Sequence, residues 1–212
     1  MRGRGHEKRF DLRTAGSSRD ETWRRVRSAG VELLFEHGYE AMNTRQLAEA
    51  AELKSGSLYY YFRSKEEFLY RLLIDLLEEI VADLEQGLGG IDPDDVESRL
   101  ETFVRILVKW HIARHKETFI ASIETRALSR ARHESYVELR DRFDSTLHEI
   151  LRDGTLLNRF DIVDLTITRN SMLSMITALS SWYDPQGPLG LEEITADFVR
   201  LARRMVGLPT PT

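Results

Sequence analysis

The sequence predicts an all-α protein of about nine helices, and two observations support this fold class. Apolar residues recur at three- and four-residue spacing through most of the chain, which is the period of an amphipathic helix. Most of these runs begin at a capping residue, several end at a glycine, and no alternating strand pattern competes with them. The runs group into a flexible basic arm over residues 1–17, a three-helix unit over 18–64 and a larger helical unit over 65–212.

The first helix is predicted to begin at a capping box, in which Ser18 is followed three residues later by Glu21. It continues to about Glu36, and Gly38 supplies the stop signal. The second helix is predicted to begin after Asn43, with Gln46 as the partner in the box.

A tight turn over residues 52–54 leads to the third helix, which we expect to be capped by Ser55 and to span Gly56 to Tyr61. Four apolar residues of this unit are expected to face a small core: Phe35, Leu47, Leu58 and Phe62.

The longer helices follow the same signals. Ser64 and Glu67 form a box for a fourth helix that runs to about Leu88, and Asp92 with Pro93 is predicted to begin the next one. Later helices are expected at about 117–130, 134–152 (ended by Gly154), 161–182 (capped by Asp161) and 191–206.

The composition indicates a soluble cytoplasmic protein. Of the 212 residues 42% are apolar and 31% are charged, which supports a substantial helical core. The chain has no cysteine, which excludes disulfides and thiolate metal sites, and it has no apolar run of membrane-spanning length. The basic N-terminus lacks the apolar core of a signal peptide.

Charge is distributed unevenly along the chain. Residues 1–27 carry nine arginines and lysines against four acidic residues, whereas residues 72–212 carry 16 basic and 24 acidic residues. A basic front on an acidic body is typical of a module that approaches phosphates. The alternative is a solvated basic tail without a partner.

The segment 43–65 predicts a DNA-binding site. Two short helices joined by a tight turn form a helix-turn-helix, in which the second helix enters the major groove. Arg45 can reach a guanine edge or a phosphate, and Lys54 and Lys65 can reach phosphates. Four further side chains are expected to face partly outward: Ser57, Tyr59, Tyr60 and Tyr61. The alternative is a helical hairpin with solvated tyrosines.

Residues 24–70 resemble the N-terminal DNA-binding domain of the TetR family of bacterial transcriptional regulators. The run LYYYFRSKEEFL carries much of the resemblance, and Lys54 and Gly30 depart from the family pattern. Further matching residues are Ala29, Leu33, Phe35, Gly38, Tyr39, Thr44, Leu47, Ala48, Ala51, Ser55 and Gly56.

The resemblance implies a homodimer that binds a palindromic double-stranded DNA operator, as a repressor released by a small molecule. It implies that Thr44, Arg45 and the third helix, with Ser55, read bases. It also implies that Tyr59, Tyr61 and Lys65 contact bases or phosphates.

The C-terminal half is predicted to bind the ligand and to form the dimer through the last two helices. The 161–182 helix is apolar around much of its circumference and therefore needs partners on two sides. The predicted pocket combines apolar residues with a few orienting polar groups. Its members are Phe103, Leu107, Trp110, His111, Phe119, Arg126, Tyr136, Met172, Met175 and Ile176. For each of them, plain core packing or surface exposure is the alternative.

His111 and His115 are four residues apart on one helix, but no third ligand lies at a diagnostic spacing, so no metal or cofactor is predicted. Residues 126–154 and 182–194 resemble a TetR subgroup that includes sensors of acyl-CoA thioesters. That resemblance implies an acyl-CoA effector, with arginines near its phosphates; the candidates are Arg126, Arg130, Arg132 and Arg169.

Two other classes of function remain as alternatives. An enzyme lacks support, because the chain contains no nucleophile elbow, phosphate loop, metal triad or carboxylate pair. A helical small-molecule carrier or interaction module without sequence-specific DNA binding would use the first three helices only structurally.

Overall fold

The structure is a computed structural model that describes residues 12–184 and 186–209, with side chains from Asp20 onward. The described residues form ten α-helices and one 3-10 helix, and none of them forms a strand, which confirms the predicted all-α class. The α-helices are α1 (Leu12–Ala41), α2 (Thr44–Ala50), α3 (Ser55–Leu58), α4 (Lys65–Leu88), α5 (Val96–Ala113), α6 (His115–Ile123), α7 (Arg130–Leu156), α8 (Leu165–Thr177), α9 (Leu179–Trp182) and α10 (Leu191–Met205). The 3-10 helix, Glu124–Ala127, follows α6.

The chain divides into two compact units, and the boundary falls between Ser64 and Lys65. In the first unit α2 packs against both α1 and α3. Its buried apolar side chains include Val26, Leu34, Met42, Leu47 and Leu58. Phe35, which the sequence placed in this core, is only half-buried, and the neighbouring Leu34 is buried instead.

The second unit is built around α5, which packs against α4, α7, α8, α9 and α10. Three α5 side chains, Leu100, Phe103 and Val104, are fully buried. The ring centroids of Phe103 and Phe143 lie 5.9 Å apart, which joins α5 to α7.

A buried arginine fastens α10 to α5. Arg203 Nη1 donates to Glu101 Oε1 at 2.7 Å, and its Nη2 lies 3.4 Å from Glu97 Oε2. Its Nε donates to the carbonyl of Pro209 at 2.9 Å, so the guanidinium also holds the chain that follows α10. The charge is therefore paired although Arg203 is only 8% exposed.

Two predicted helix starts in the first unit are wrong. Helix α1 begins at Leu12, so Ser18 lies inside the helix and does not mark its start. Helix α3 includes Ser55 as its first residue, and Lys54 occupies the N-cap position without a side-chain cap. The predicted stop at Gly38 is confirmed, since its φ of 75° and ψ of 168° break the helix inside α1.

Three predictions of helix ends in the second unit are also wrong. Helix α5 begins one turn later than predicted, with Asp95 as its N-cap, because Asp92 accepts from the Asp94 amide in a turn. Helix α8 is capped by Asp164, since the Asp161 amide donates to Val206 instead. The predicted 161–182 helix is in fact α8 and the single turn α9.

Helix α7 continues through Gly154, which was the predicted stop. A Cβ at this glycine would overlap the ring of Phe160, so the glycine serves close packing within the second unit. The helix ends at Leu156, and Asn158 with a φ of 53° then turns the chain.

Within residues 12–184 and 186–209, no helix combines the length and the apolar content that crossing a bilayer requires.

Candidate nucleic-acid interface and ligand cavity

Helix α2 is held by the capping box that the sequence predicted. The Asn43 side chain accepts from the amides of Arg45 at 3.1 Å and Gln46 at 2.9 Å. The Gln46 side chain in turn accepts from the Asn43 amide at 3.1 Å. The start of α2 is therefore fixed, and with it the backbone position of Arg45.

The turn between α2 and α3 is tightly hydrogen-bonded. The Leu53 amide donates to the Ala48 carbonyl at 2.8 Å, and Glu52 adopts a left-handed φ of 56°. Helix α3 covers only Ser55–Leu58, and a turn continues it, since the amides of Tyr61 and Phe62 both donate to the Leu58 carbonyl. The third helix is thus shorter than predicted.

Burial on one side and exposure on the other define the possible contact surface of the first unit. Leu47, Leu58 and Phe62 are at most 1% exposed, as predicted for the core. Tyr59 and Tyr60, in contrast, are 57% and 81% exposed. Two neighbouring aromatic side chains that are both strongly exposed provide a contiguous surface that a partner can cover.

The other predicted DNA-contact residues separate into two groups. Arg45, Lys54 and Ser55 are exposed. Half-buried members are Thr44, Ser57, Tyr61 and Lys65, of which Lys65 is the first residue of α4 and of the second unit. Ser57, Tyr60 and Tyr61 also line a shallow depression together with Thr22 and Leu53.

Arg45 forms an exposed ion pair with Glu49, at 3.3 Å between Nε and Oε1. The two side chains are 83% and 68% exposed. Such exposed pairs one helical turn apart contribute only a few tenths of a kcal/mol. The guanidinium can therefore exchange Glu49 for a base edge or a phosphate at little cost.

The second unit contains a narrow cavity of about 60 Å³ between α4, α5, α6 and α7. Apolar side chains form most of its wall, and α4 alone contributes Leu73, Leu76, Leu77 and Ile80. A cavity of this volume accommodates a few water molecules but no molecule of the size of an acyl chain. A larger ligand must move the surrounding helices apart.

His111 is the least satisfied polar group of this cavity. The residue is 8% exposed, and its Nδ1 is buried without a hydrogen-bond partner. Burial, aided by the charge of Arg140, lowers the pKa of His111 from 6.5 to about 4. The imidazole is therefore neutral at pH 7, and its Nδ1 is left to interact with a bound molecule.

Tyr136 and Arg140 lie one turn apart on α7 and complete the polar side of the cavity. Burial raises the pKa of Tyr136, so its phenol is a neutral hydroxyl. Arg140 pairs with Asp144 at 3.0 Å, and its guanidinium lies 5.2 Å from the centroid of the Phe143 ring.

A more open cleft adjoins the cavity and shares Ser122, Arg140 and Thr177 with it. Its volume is about 540 Å³, and its wall is more polar. Side chains from α8 and α9 line it, among them Asn170, Ser174, Ser180 and Ser181. Arg140 thus belongs to both spaces.

Of the ten predicted ligand residues, Leu107, His111 and Tyr136 line the cavity. Trp110 lines a separate surface groove, where its Nε1 donates to Asp83 at 2.8 Å and Arg114 lies over its ring. The other six lie elsewhere: Phe103, Met172 and Ile176 are buried, Phe119 and Met175 are half-buried, and Arg126 is exposed on the 3-10 helix. No group of three potential metal ligands occurs within the described ranges.

The sequence did not predict that Arg140 and the α4 side chains Leu73, Leu76, Leu77 and Ile80 line the cavity. A signal for Arg140 existed, because Tyr136, Arg140 and Asp144 recur every four residues along α7 and therefore share one face. The α4 leucines carried no such signal, since a leucine that lines a cavity has the same spacing as one that packs in a core.

Residues 93–206 match the family model of the tetracycline-repressor-like C-terminal domain. Residues 26–72 match that of the bacterial regulatory proteins of the tetR family. The chain belongs to the TetR family.

Among curated proteins, this TetR-family chain is 26% identical over 174 residues to the HTH-type transcriptional repressor KstR2 of Mycolicibacterium smegmatis, with 80% of this chain and 82% of the relative covered. Among solved structures, it is 30% identical to the TetR family regulator PfmR of Thermus thermophilus, with a TM-score of 0.77 and coverage of 85% and 97%. AibR, solved in complex with isovaleryl coenzyme A and operator DNA, shares the fold at 20% identity, with the same TM-score and the same coverage.

Proposed function

We propose that this TetR-family protein is a homodimeric, ligand-responsive transcriptional repressor that binds a palindromic DNA operator. The observation that carries the proposal is the exposed surface formed by Arg45, Lys54, Tyr59 and Tyr60 over the buried core of α2 and α3. An arginine can form two hydrogen bonds to guanine, a lysine pairs with phosphate, and tyrosines donate to either. The curated relative KstR2 of Mycolicibacterium smegmatis, which is named a repressor, supports the direction of regulation.

Dimerisation involves α8, α9 and α10. Three large apolar side chains on these helices are exposed in the single chain: Ile167 is 65%, Trp182 50% and Leu201 42% exposed. A second copy covers these side chains and sets two DNA-binding units at the separation of successive major grooves, about 34 Å.

The effector is an apolar molecule with an acyl or other carbonyl head, and an acyl-CoA is the candidate we favour. The leucine wall accepts the apolar part, and the unpartnered Nδ1 of His111 and the hydroxyl of Tyr136 orient the head. Arg140 supplies a cation where the cavity meets the open cleft. AibR, which shares the fold, was solved with isovaleryl coenzyme A.

Release of the operator follows from the size of the cavity. Because the cavity measures only about 60 Å³, the effector separates α4 from its neighbours as it enters. Helix α4 begins at Lys65, directly after the last residue of the first unit, so its movement changes the spacing of the two DNA-binding units. Effector and operator therefore oppose each other with a coupling of about 1–3 kcal/mol.

Fluorescence anisotropy with an operator selected from random duplexes tests the proposal. The double variant Arg45→Ala, Tyr59→Ala should lose about ten- to hundredfold of its preference for the operator over random DNA. Arg152→Ala is the matched control, because it also removes an exposed, paired arginine, but in the second unit. Unchanged discrimination in the double variant would sink the placement of the site, and absence of any selected duplex would sink the function.

A further inference from the structure

We infer that Glu66, Ser129 and Arg132 form a clasp that couples the ligand cavity to the first turn of α4. The inference rests on the proposed function, in which the position of α4 decides operator binding. It assigns the coupling to particular side chains, none of which lines the cavity.

The clasp joins the beginnings of α4 and α7. Glu66 Oε1 accepts from the backbone amide of Ser129 at 2.7 Å, and Glu66 Oε2 lies 3.1 Å from Arg132 Nη1. Ser129 is the N-cap residue of α7 and has no side-chain cap of its own. The Glu66 carboxylate thus accepts from the N-cap amide, as the glutamate of a capping box does, although Glu66 lies 63 residues away in sequence on another helix.

Local charge favours the closed clasp. The hydrogen bond from the Ser129 amide, together with the Arg132 guanidinium, lowers the pKa of Glu66 below 4.5. Arg132 is further held over the Tyr70 ring, 5.6 Å from its centroid, and lies 4.0 Å from Glu67. The side chains of Glu66 and Arg132 are only 28% and 29% exposed, so water screens the pair less than it screens Arg45 and Glu49.

The same two helices line the cavity below the clasp. On α7, Arg132 is followed at four-residue intervals by Tyr136 and Arg140, both of which line the cavity. On α4, Glu66 is followed two turns later by Leu73 and then by Leu76 and Leu77. The clasp connects Glu66 on α4 with Ser129 and Arg132 at the start of α7. A ligand that enters between α4 and α7 therefore increases the distance between the two sides of the clasp.

The inference makes Glu66 a positioning residue. While the clasp is closed, the first turn of α4 follows α7. When the cavity fills, the clasp opens and the Ser129 amide loses its acceptor. Without the clasp, filling the cavity no longer changes the position of the first turn of α4.

Hydrogen–deuterium exchange on the full-length free protein tests this without the effector or the operator. Ala121, a cavity-lining residue on α6, allows the cavity to be filled by Ala121→Leu. In the otherwise unchanged chain, this substitution should speed exchange about fivefold or more in peptides covering Ser129 and residues 65–73. In the Glu66→Ala chain, exchange at Ser129 should already be fast, and Ala121→Leu should add nothing at residues 65–73.

Glu78→Ala is the matched control, because it removes an exposed acidic residue of α4 away from the clasp and should keep the response. If Ala121→Leu prevents folding, as circular dichroism would reveal, Ala121→Val repeats the experiment with less added volume. An undiminished response in the Glu66→Ala chain, or no response in the parent chain, overturns the inference. Failure of the proposed function would appear separately, as absence of operator binding by the parent protein.

Discussion

The two units of this protein present their functional side chains in opposite ways. In the first unit, the candidate DNA contacts lie close together in sequence and are exposed or half-buried, with Tyr60 81% exposed near a buried Leu58. In the second unit, the candidate ligand contacts are spread from Leu73 to Thr177 and surround a cavity of about 60 Å³. A surface that reads DNA must be ready before its partner arrives, whereas a cavity can open as the ligand enters.

The contrast between buried core residues and exposed contact residues is tested most directly at two adjacent positions of the first unit, Leu58 and Tyr59. Leu58→Ala should lower the free energy of unfolding by about 2–5 kcal/mol, because it empties a fully packed position. Tyr59→Ala should leave that free energy within about 0.5 kcal/mol and weaken operator binding instead. Urea denaturation and fluorescence anisotropy on both variants measure the two effects. If both substitutions changed stability equally, exposure would not distinguish contact residues from core residues here.

A second test concerns the packing at the end of α7. Gly154→Ala should lower the free energy of unfolding by about 1–3 kcal/mol, because its Cβ overlaps the Phe160 ring. Gly90→Ala is the control, since a Cβ at that position meets no atom within 4 Å. Thermal denaturation of both variants checks the difference. Equal midpoints would mean that this region accommodates added volume without cost.

A third test is the pH dependence of the stability of the second unit. The pKa of His111 is about 4 in the folded protein against 6.5 ordinarily, so only the unfolded chain gains this proton between these values. Stability from the neutral, buried His111 is therefore complete above pH 6.5 and declines as the pH falls towards 4. His111→Leu should reduce this decline, and His133→Gln, at an exposed position, should preserve it.

Urea denaturation at pH 7, 5.5 and 4.5 measures the decline in each protein. A decline that is the same in His111→Leu as in the parent chain would contradict a buried neutral imidazole. Such a result would also weaken the distinction between the exposed DNA-contact surface of the first unit and the buried cavity of the second unit.

Much of the first site could be predicted from the sequence because its signals are local. Asn43 and Gln46 cap α2 across three residues, and Gly38 breaks α1 through its own backbone, so neither depends on distant parts of the chain. The third-helix tyrosines follow a buried leucine in sequence, which made their exposure predictable. The helix start predicted at Ser18 was wrong, because a serine that suits a helix start is also tolerated within a helix.

The second site could be predicted only in part, because distant contacts decide it. Asp161 and Asp164 are equally good caps by residue type, but the amide of Asp161 bonds to Val206, 45 residues later. Gly154 has the residue type of a helix stop, yet Phe160 requires it for close approach. Leu107, His111 and Tyr136 were predicted as pocket residues because polar side chains occur among apolar ones at helical spacing. Met172 and Ile176 were predicted for the same pocket, but they do not line the cavity.

The central claim is that the buried cavity of the second unit controls DNA binding by the exposed surface of the first. The most direct measurement is the operator dissociation constant of Ala121→Leu, in which an added side chain occupies the cavity without any effector. We expect its operator affinity to fall about five- to 150-fold, with a thermal midpoint close to that of the parent protein. An unchanged dissociation constant in a folded Ala121→Leu protein would contradict the account.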